Sequence, residues 1–179
     1  MNPLIQVNKT IRLFLIVLVC PALSPQARAV CQQGCDLINN NTFLGDDALL
    51  NNTMGDRNTA IGSQALLSNT SGNFNTATGA SALFRNTIGD ANTATGDRAL
   101  NSNTIGDGNT ATGVTALESN RTGDGNTATG IQALQTDTAG SDNTATGLLA
   151  LASNTIGNLN TATGFKRTFR QHDRLPKHG

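Results

Sequence analysis

Tryptophan and tyrosine are absent from this 179-residue chain, and phenylalanine occurs only six times. Ordinary globular cores draw much of their buried area from large rings, so an ordinary core is not expected here. Length alone allows a single domain. Nineteen glycines, with abundant Asn and Thr, take the place of the aromatics. Such a composition describes either a disordered polar chain or a repeat that buries small residues in register.

Long apolar runs are also missing. The stretch Leu13 to Cys20 has eight residues, far short of the roughly 20 that cross a bilayer. Lys9 and Arg12 precede it, Pro21 ends it, and Ala27-Arg28-Ala29 supplies an A-x-A cleavage pattern before Val30. Residues 1–29 therefore read as a secretory signal peptide, with a short uncleaved anchor as the alternative. A secreted or cell-surface product with no membrane span after cleavage is the expectation. Cys20 is a poor lipidation site, because Val19 stands where a small residue belongs.

No excess of either charge is present: 12 basic residues face 12 acidic ones. Signal removal takes Lys9, Arg12 and Arg28 and leaves 9 basic and 12 acidic residues, a formal charge of −3. A basic stripe interleaved with aromatics is lacking, which argues against nucleic acid. The two histidines, His172 and His178, lie in the irregular C-terminal stretch and read as solvated. No Ser/His/Asp or Cys/His set forms, and no paired carboxylates sit in an apolar setting. An enzyme is not expected, nor a cofactor. Cys31 and Cys35 remain at the new N-terminus, where they suit a small-loop disulfide in an oxidising compartment, with free thiols as the alternative.

What the chain does contain is a period. Asn-Thr pairs followed by Gly at the fifth position begin at Asn41, Asn58, Asn75, Asn92, Asn109, Asn126, Asn143 and Asn160, each step being 17 residues. Numbering the unit from that Asn, Ala holds position 8 and Leu position 9 from Ala48-Leu49 to Ala150-Leu151. A second Asn holds position 12, with Asp137 as its one substitute, and a second glycine holds position 15 from Gly55 to Gly157. The consensus is N-T-A-T-G-x-x-A-L-x-S-N-T-x-G-D-x.

Two glycines and two Asn would weaken any helix, and helical repeats need about 33 residues or more. Seventeen residues suit an all-β, parallel β-solenoid over residues 41–164, in which N-T-A-T-G and A-L-x-S-N-T each form a short strand. Stacking at about 4.8 Å puts like residues in columns. Asn75, Asn92, Asn109, Asn126 and Asn143 become an amide ladder. Thr76, Thr78, Thr93, Thr95, Thr110, Thr112, Thr127 and Thr129 become threonine ladders. The core is thin: two Ala, one Leu worth about 1.5–3 kcal/mol, and in some coils an Ile (Ile88, Ile105, Ile156), against the ordering of all 17 residues. Trimerisation would relieve that deficit.

At N-T-A-x-G-x-x-A-L-x-x-N-T-x-G the chain resembles the YadA-like head repeats of trimeric autotransporter adhesins and of phage-fibre-like surface proteins. The likeness covers residues 41–164. It implies a left-handed parallel β-roll, a homotrimer, and a head that binds host-surface, matrix or carbohydrate ligands. No coiled-coil stalk, anchor barrel or chaperone domain accompanies the repeats. Residues 30–40 are expected to cap the N-terminal end. After Gly164 the pattern fails, with Arg167 and Thr168 where Ala and Leu are due. Residues 165–179 hold five of the 12 basic residues and read as a polar cap or as the product of truncation or a frameshift. On the second reading the chain is an inert fragment of a longer fibre.

Two sharper sites compete with plain structural readings. Asp90, Asp107 and Asp124 would stack at about 4.8 Å, a spacing that favours bridging by calcium. The calcium β-roll, however, repeats every nine residues, and Asn73, Ser141 and Asn158 occupy the same column as turn residues do. The T-x-T pairs, if turned outward, form a flat array of hydroxyls and methyls, as in β-helical ice-binding proteins. If they face the interior of the roll or of a trimer, they replace the Val and Ile of related strands, as Leu44 and Ile61 suggest. Sequons such as Asn51-Asn52-Thr53 fall out of the repeat itself.

Overall fold

The computed structural model describes residues 33–36 and 39–165, all within the unit Cys31–Gly179. The signal segment, Cys31, the Cys35 side chain and the stretch after Phe165 with its two histidines lie outside the described side chains. The expected disulfide therefore does too.

The fold is a β-solenoid with one strand per coil. After β1 (Gln33–Asp36) come β2 (Asn41–Leu44), β3 (Thr59–Ile61), β4 (Thr76–Thr78), β5 (Thr93–Thr95), β6 (Thr110–Thr112), β7 (Thr127–Thr129), β8 (Thr144–Thr146) and β9 (Thr161–Thr163). They form one nine-stranded sheet in sequence order. Strands β2 to β9 pair in parallel at a register of one repeat, so that Thr93, Ala94 and Thr95 lie against Thr110, Ala111 and Thr112. Strand β1 runs antiparallel to β2 and pairs with the edge that β2 would otherwise expose.

Each strand is only about three residues long because its flanks leave the extended region. Position 5 is a glycine at large positive φ (+133° at Gly96), and position 17 is left-handed, as at Phe74 (57°) and Ala91 (56°). Positions 7 and 9 are left-handed as well: Ser81 has φ 53° and Leu83 φ 51°. The expected second strand, A-L-x-S-N-T, is therefore a run of turns and not a strand. Inter-coil hydrogen bonding nevertheless continues through it, with Leu83 N donating to Ala99 O at 3.0 Å and Arg85 N to Asn101 O at 3.0 Å.

The left-handed leucine explains the Ala-Leu pair. Neighbours on a strand point to opposite faces, yet Ala82 and Leu83 are both fully buried, as is Ala77 in the strand before them. Turning the backbone at Leu83 brings both side chains inside. A bulky residue at positive φ costs about 1–2 kcal/mol, and each coil repeats that cost. Stacking fixes the conformation from above and below.

The core is as thin as the sequence implies, with one correction. Ala at positions 3 and 8 and Leu at 9 form it, and Phe43 packs against its N-terminal end. Ile88, Ile105 and Ile156 at position 14 are exposed instead. Ile88 N donates to Thr104 O and Ile105 N to Arg121 O, both at 3.2 Å, and the interior is already filled by the alanines, the leucine and two Asn side chains.

Thr115 is the poorest fit in the stack. It is β-branched at φ 53°, and its buried Oγ1 has no partner. The same column carries unbranched Gln64 and Gln132, also left-handed. Thr115→Gln is expected to stabilise the protein by about 1–2 kcal/mol, read as a higher Tm in thermal denaturation. An unchanged or lower Tm contradicts this view of the position.

Candidate functional site: the amide columns and the threonine face

Two asparagine columns meet on one carbonyl. Asn58 Nδ2 (position 1) donates to Gly72 O at 2.8 Å, and Asn69 Nδ2 (position 12) donates to the same oxygen at 2.9 Å. Each column is also bonded along the stack. Asn75 N donates to Asn58 Oδ1 at 2.9 Å, and Asn69 Nδ2 donates to Asn52 Oδ1 at 2.8 Å. The pattern recurs at Asn92 and Asn103 on Gly106, and the first column continues through Asn109, Asn126 and Asn143. These side chains are buried, so each amide must find partners within the protein. The ladder expected from the sequence is present, and it lies inside the coil.

That convergence explains the second glycine column. A Cβ on Gly89 would stand 2.5 Å from Gly106 O and 2.6 Å from Asn86 Oδ1. The space belongs to the amides and the next coil's backbone, which bars every other residue without any demand from φ.

The threonine pairs face out. In the T-A-T strands the central Ala is buried and the flanking threonines are exposed or half-buried. Thr93, Thr95, Thr112, Thr129, Thr144, Thr146, Thr161 and Thr163 are exposed, while Thr76, Thr78, Thr110 and Thr127 are half-buried. Leu44 and Ile61 lie in the same outward column, 45% and 39% exposed. An inward set of threonines filling the roll is thereby overturned. Strand alternation gives the reason: Ala at position 3 points in, so positions 2 and 4 point out. Among the described residues no protein group hydrogen-bonds the hydroxyls of these twelve threonines. The position-13 threonines behave differently, since Thr70 Oγ1 donates to Thr87 O at 2.9 Å and Thr87 Oγ1 to Thr104 O at 2.8 Å.

The acidic column has a structural occupation. Asn73 N donates to Asp90 Oδ1 at 2.6 Å, Asp90 N to Asp107 Oδ1 at 2.7 Å, and Asp107 N to Asp124 Oδ1 at 2.8 Å. Asp124 N in turn donates to Ser141 Oγ at 3.1 Å. The carboxylates thus take backbone amides from the coil before them, which Asn and Ser also do, and the interchange of these residues in the column follows. Among the described residues no group of three or more His, Cys, Asp or Glu is placed to hold a metal ion, and no helix is long and apolar enough to cross a membrane.

No family model matches the chain, and neither the curated proteins nor the solved structures yield a match.

The amide columns and the threonine face should respond differently to substitution. Asn109→Ala strands the buried Asn126 N, which donates to Asn109 Oδ1 at 2.9 Å, and is expected to cost about 2–4 kcal/mol. Thr112→Ala, on the exposed face, should cost less than about 0.5 kcal/mol. Urea denaturation of the two variants checks the contrast, and equal losses would contradict it.

Proposed function

We propose that this chain is a secreted or surface-displayed structural protein of the adhesin type, which offers a repetitive polar face to its ligand. The carrying observation is the pair of threonine columns along β4 to β9, in register, outward, and with hydroxyls that the protein itself does not use. A host-surface, matrix or carbohydrate ligand is the partner class, bound through many weak equivalent contacts and not in one pocket. The resemblance to YadA-like heads supports this reading, as does the A-x-A pattern at Ala27 to Ala29. The reading is non-enzymatic and free of cofactors.

We also propose a homotrimer. The core of Ala, Ala and Leu is slender, and apolar side chains remain on the surface. Val114, Ile131 and Leu148, at position 6 of three consecutive coils, are each more than 40% exposed, and burying them between copies would add what the interior lacks. Sedimentation velocity of the secreted chain should give a species of three chains, and a monomer at micromolar concentration would overturn the assembly.

One observation favours a second ligand. Threonines at positions 2 and 4 stand nearly 7 Å apart along the strand and about 4.8 Å apart between coils, a rigid two-dimensional array suited to an ordered water lattice. If ice is the ligand, the protein should show thermal hysteresis that Thr95→Tyr in the middle of the face abolishes while the fold persists. Its absence from the unmodified protein leaves the adhesin reading alone.

A further inference from the structure

One residue breaks the inner asparagine ladder. At position 12, Asn103 Nδ2 donates to Asn86 Oδ1 at 2.8 Å and to Gly106 O at 2.9 Å. Asn120 Nδ2 does the same toward Asn103 Oδ1 and Gly123 O, both at 3.0 Å. The next residue in the column is Asp137, fully buried like its neighbours. An ionised carboxylate only accepts. Asp137 receives Gly140 N at 2.7 Å, Asn154 Nδ2 at 3.0 Å and Asn143 Nδ2 at 3.3 Å. The two acceptors that an asparagine would satisfy here, Asn120 Oδ1 and Gly140 O, face a group with nothing to give. Asn120 Oδ1 instead takes its own coil's Gly123 N at 3.2 Å, and Gly140 O keeps only Asn126 Nδ2 at 2.7 Å.

We propose that Asp137 is a proton-operated joint in the solenoid: protonated, its carboxyl O–H donates across the gap and completes the ladder, and ionised, it leaves the coils from Asp137 to Phe165 free to open as a unit. Among the described residues no cation offsets the buried charge. On the coil before it, Arg121 and Asp124 are exposed, while Glu118 takes Gln135 Nε2 at 3.0 Å and lies 3.6 Å from Arg98 Nη1. Its own coil adds only the exposed Asp142, and residues 143–159 above it carry no charge. Burial lifts the Asp137 carboxyl above the usual carboxylate range, against the lowering effect of its hydrogen bonds from Gly140 and Asn154.

The sign of the linkage follows. With the folded value raised, the folded state holds the proton more tightly than the unfolded chain does. Stability is then greatest below the unfolded value, falls as pH rises through the interval up to the folded value, and is flat above it. The junction between Asp137 and the coil of Asn120 is correspondingly weaker at neutral pH than at low pH.

Native-state hydrogen exchange on the full chain, corrected for intrinsic rates, tests the joint. The amides of β8 and β9 should lose about tenfold in protection between about pH 4 and about pH 7.5 for each unit by which the folded value exceeds the unfolded one. The amides of β4 and β5 should change far less. Asp137→Asn should abolish the pH dependence, and adding Asn103→Asp to that variant should move it inward to include β6 and β7. Protection of β8 and β9 that is independent of pH, or a pH dependence that survives Asp137→Asn, would overturn the proposal.

Discussion

The convergence of two buried asparagine side chains on one glycine carbonyl is the constraint from which the rest of the coil follows. Because the Asn58 and Asn69 amides both reach Gly72 O, positions 1, 12 and 15 are locked to one another in every coil but that of Asp137. Because Asn58 Oδ1 also takes the backbone N–H of Asn75, each coil sets the height and angle of the next. An inserted residue anywhere in the unit would pull one amide off its acceptor and leave a buried polar group unpaired. The 17-residue period runs without insertion or deletion from Asn41 to Gly164, as such a lock demands.

The apolar core plays a lesser part. Alanines at positions 3 and 8 bury little area, and the leucine at position 9 reaches the interior only by adopting a left-handed backbone, as at Leu100 (φ 51°). The coil accepts that strain because its neighbours above and below impose it, with Leu100 N held by Ala116 O at 3.0 Å. Polar satisfaction defines the cross-section and hydrophobic burial fills it. The same amides make the interior sensitive to charge, since a carboxylate in an asparagine column cannot donate along the stack, and Asn120 Oδ1 falls back on Gly123 N of its own coil. The outer threonines carry no such duty, and their hydroxyls stay available to solvent or a ligand.

Much of this was legible in the residues. The period, the parallel register and the asparagine ladder all follow from identity at fixed spacing, because identical coils stack with like residues in columns. The second strand was not legible: A-L-x-S-N-T has the composition of a strand, and nothing in Leu83 or Leu100 announces a positive φ. The burial of Ile88, Ile105 and Ile156 was misjudged for a related reason. Apolar character suggested the core, but the two Asn side chains had already taken the space. The outward threonines were readable from the invariant Ala between them, which has to be the inward residue of a three-residue strand. Leu44 and Ile61 obscured that signal.

The exchange of the asparagine side-chain amides tests the central claim most directly. If both columns lie inside the coil, the Nδ2 protons of Asn75, Asn92, Asn103 and Asn109 will be protected from solvent to about the same degree as the backbone amides of β4 to β6, as resolved by NMR on selectively labelled protein. Side-chain amides that exchange as fast as those of a free asparagine, beside protected strand backbones, would contradict the account.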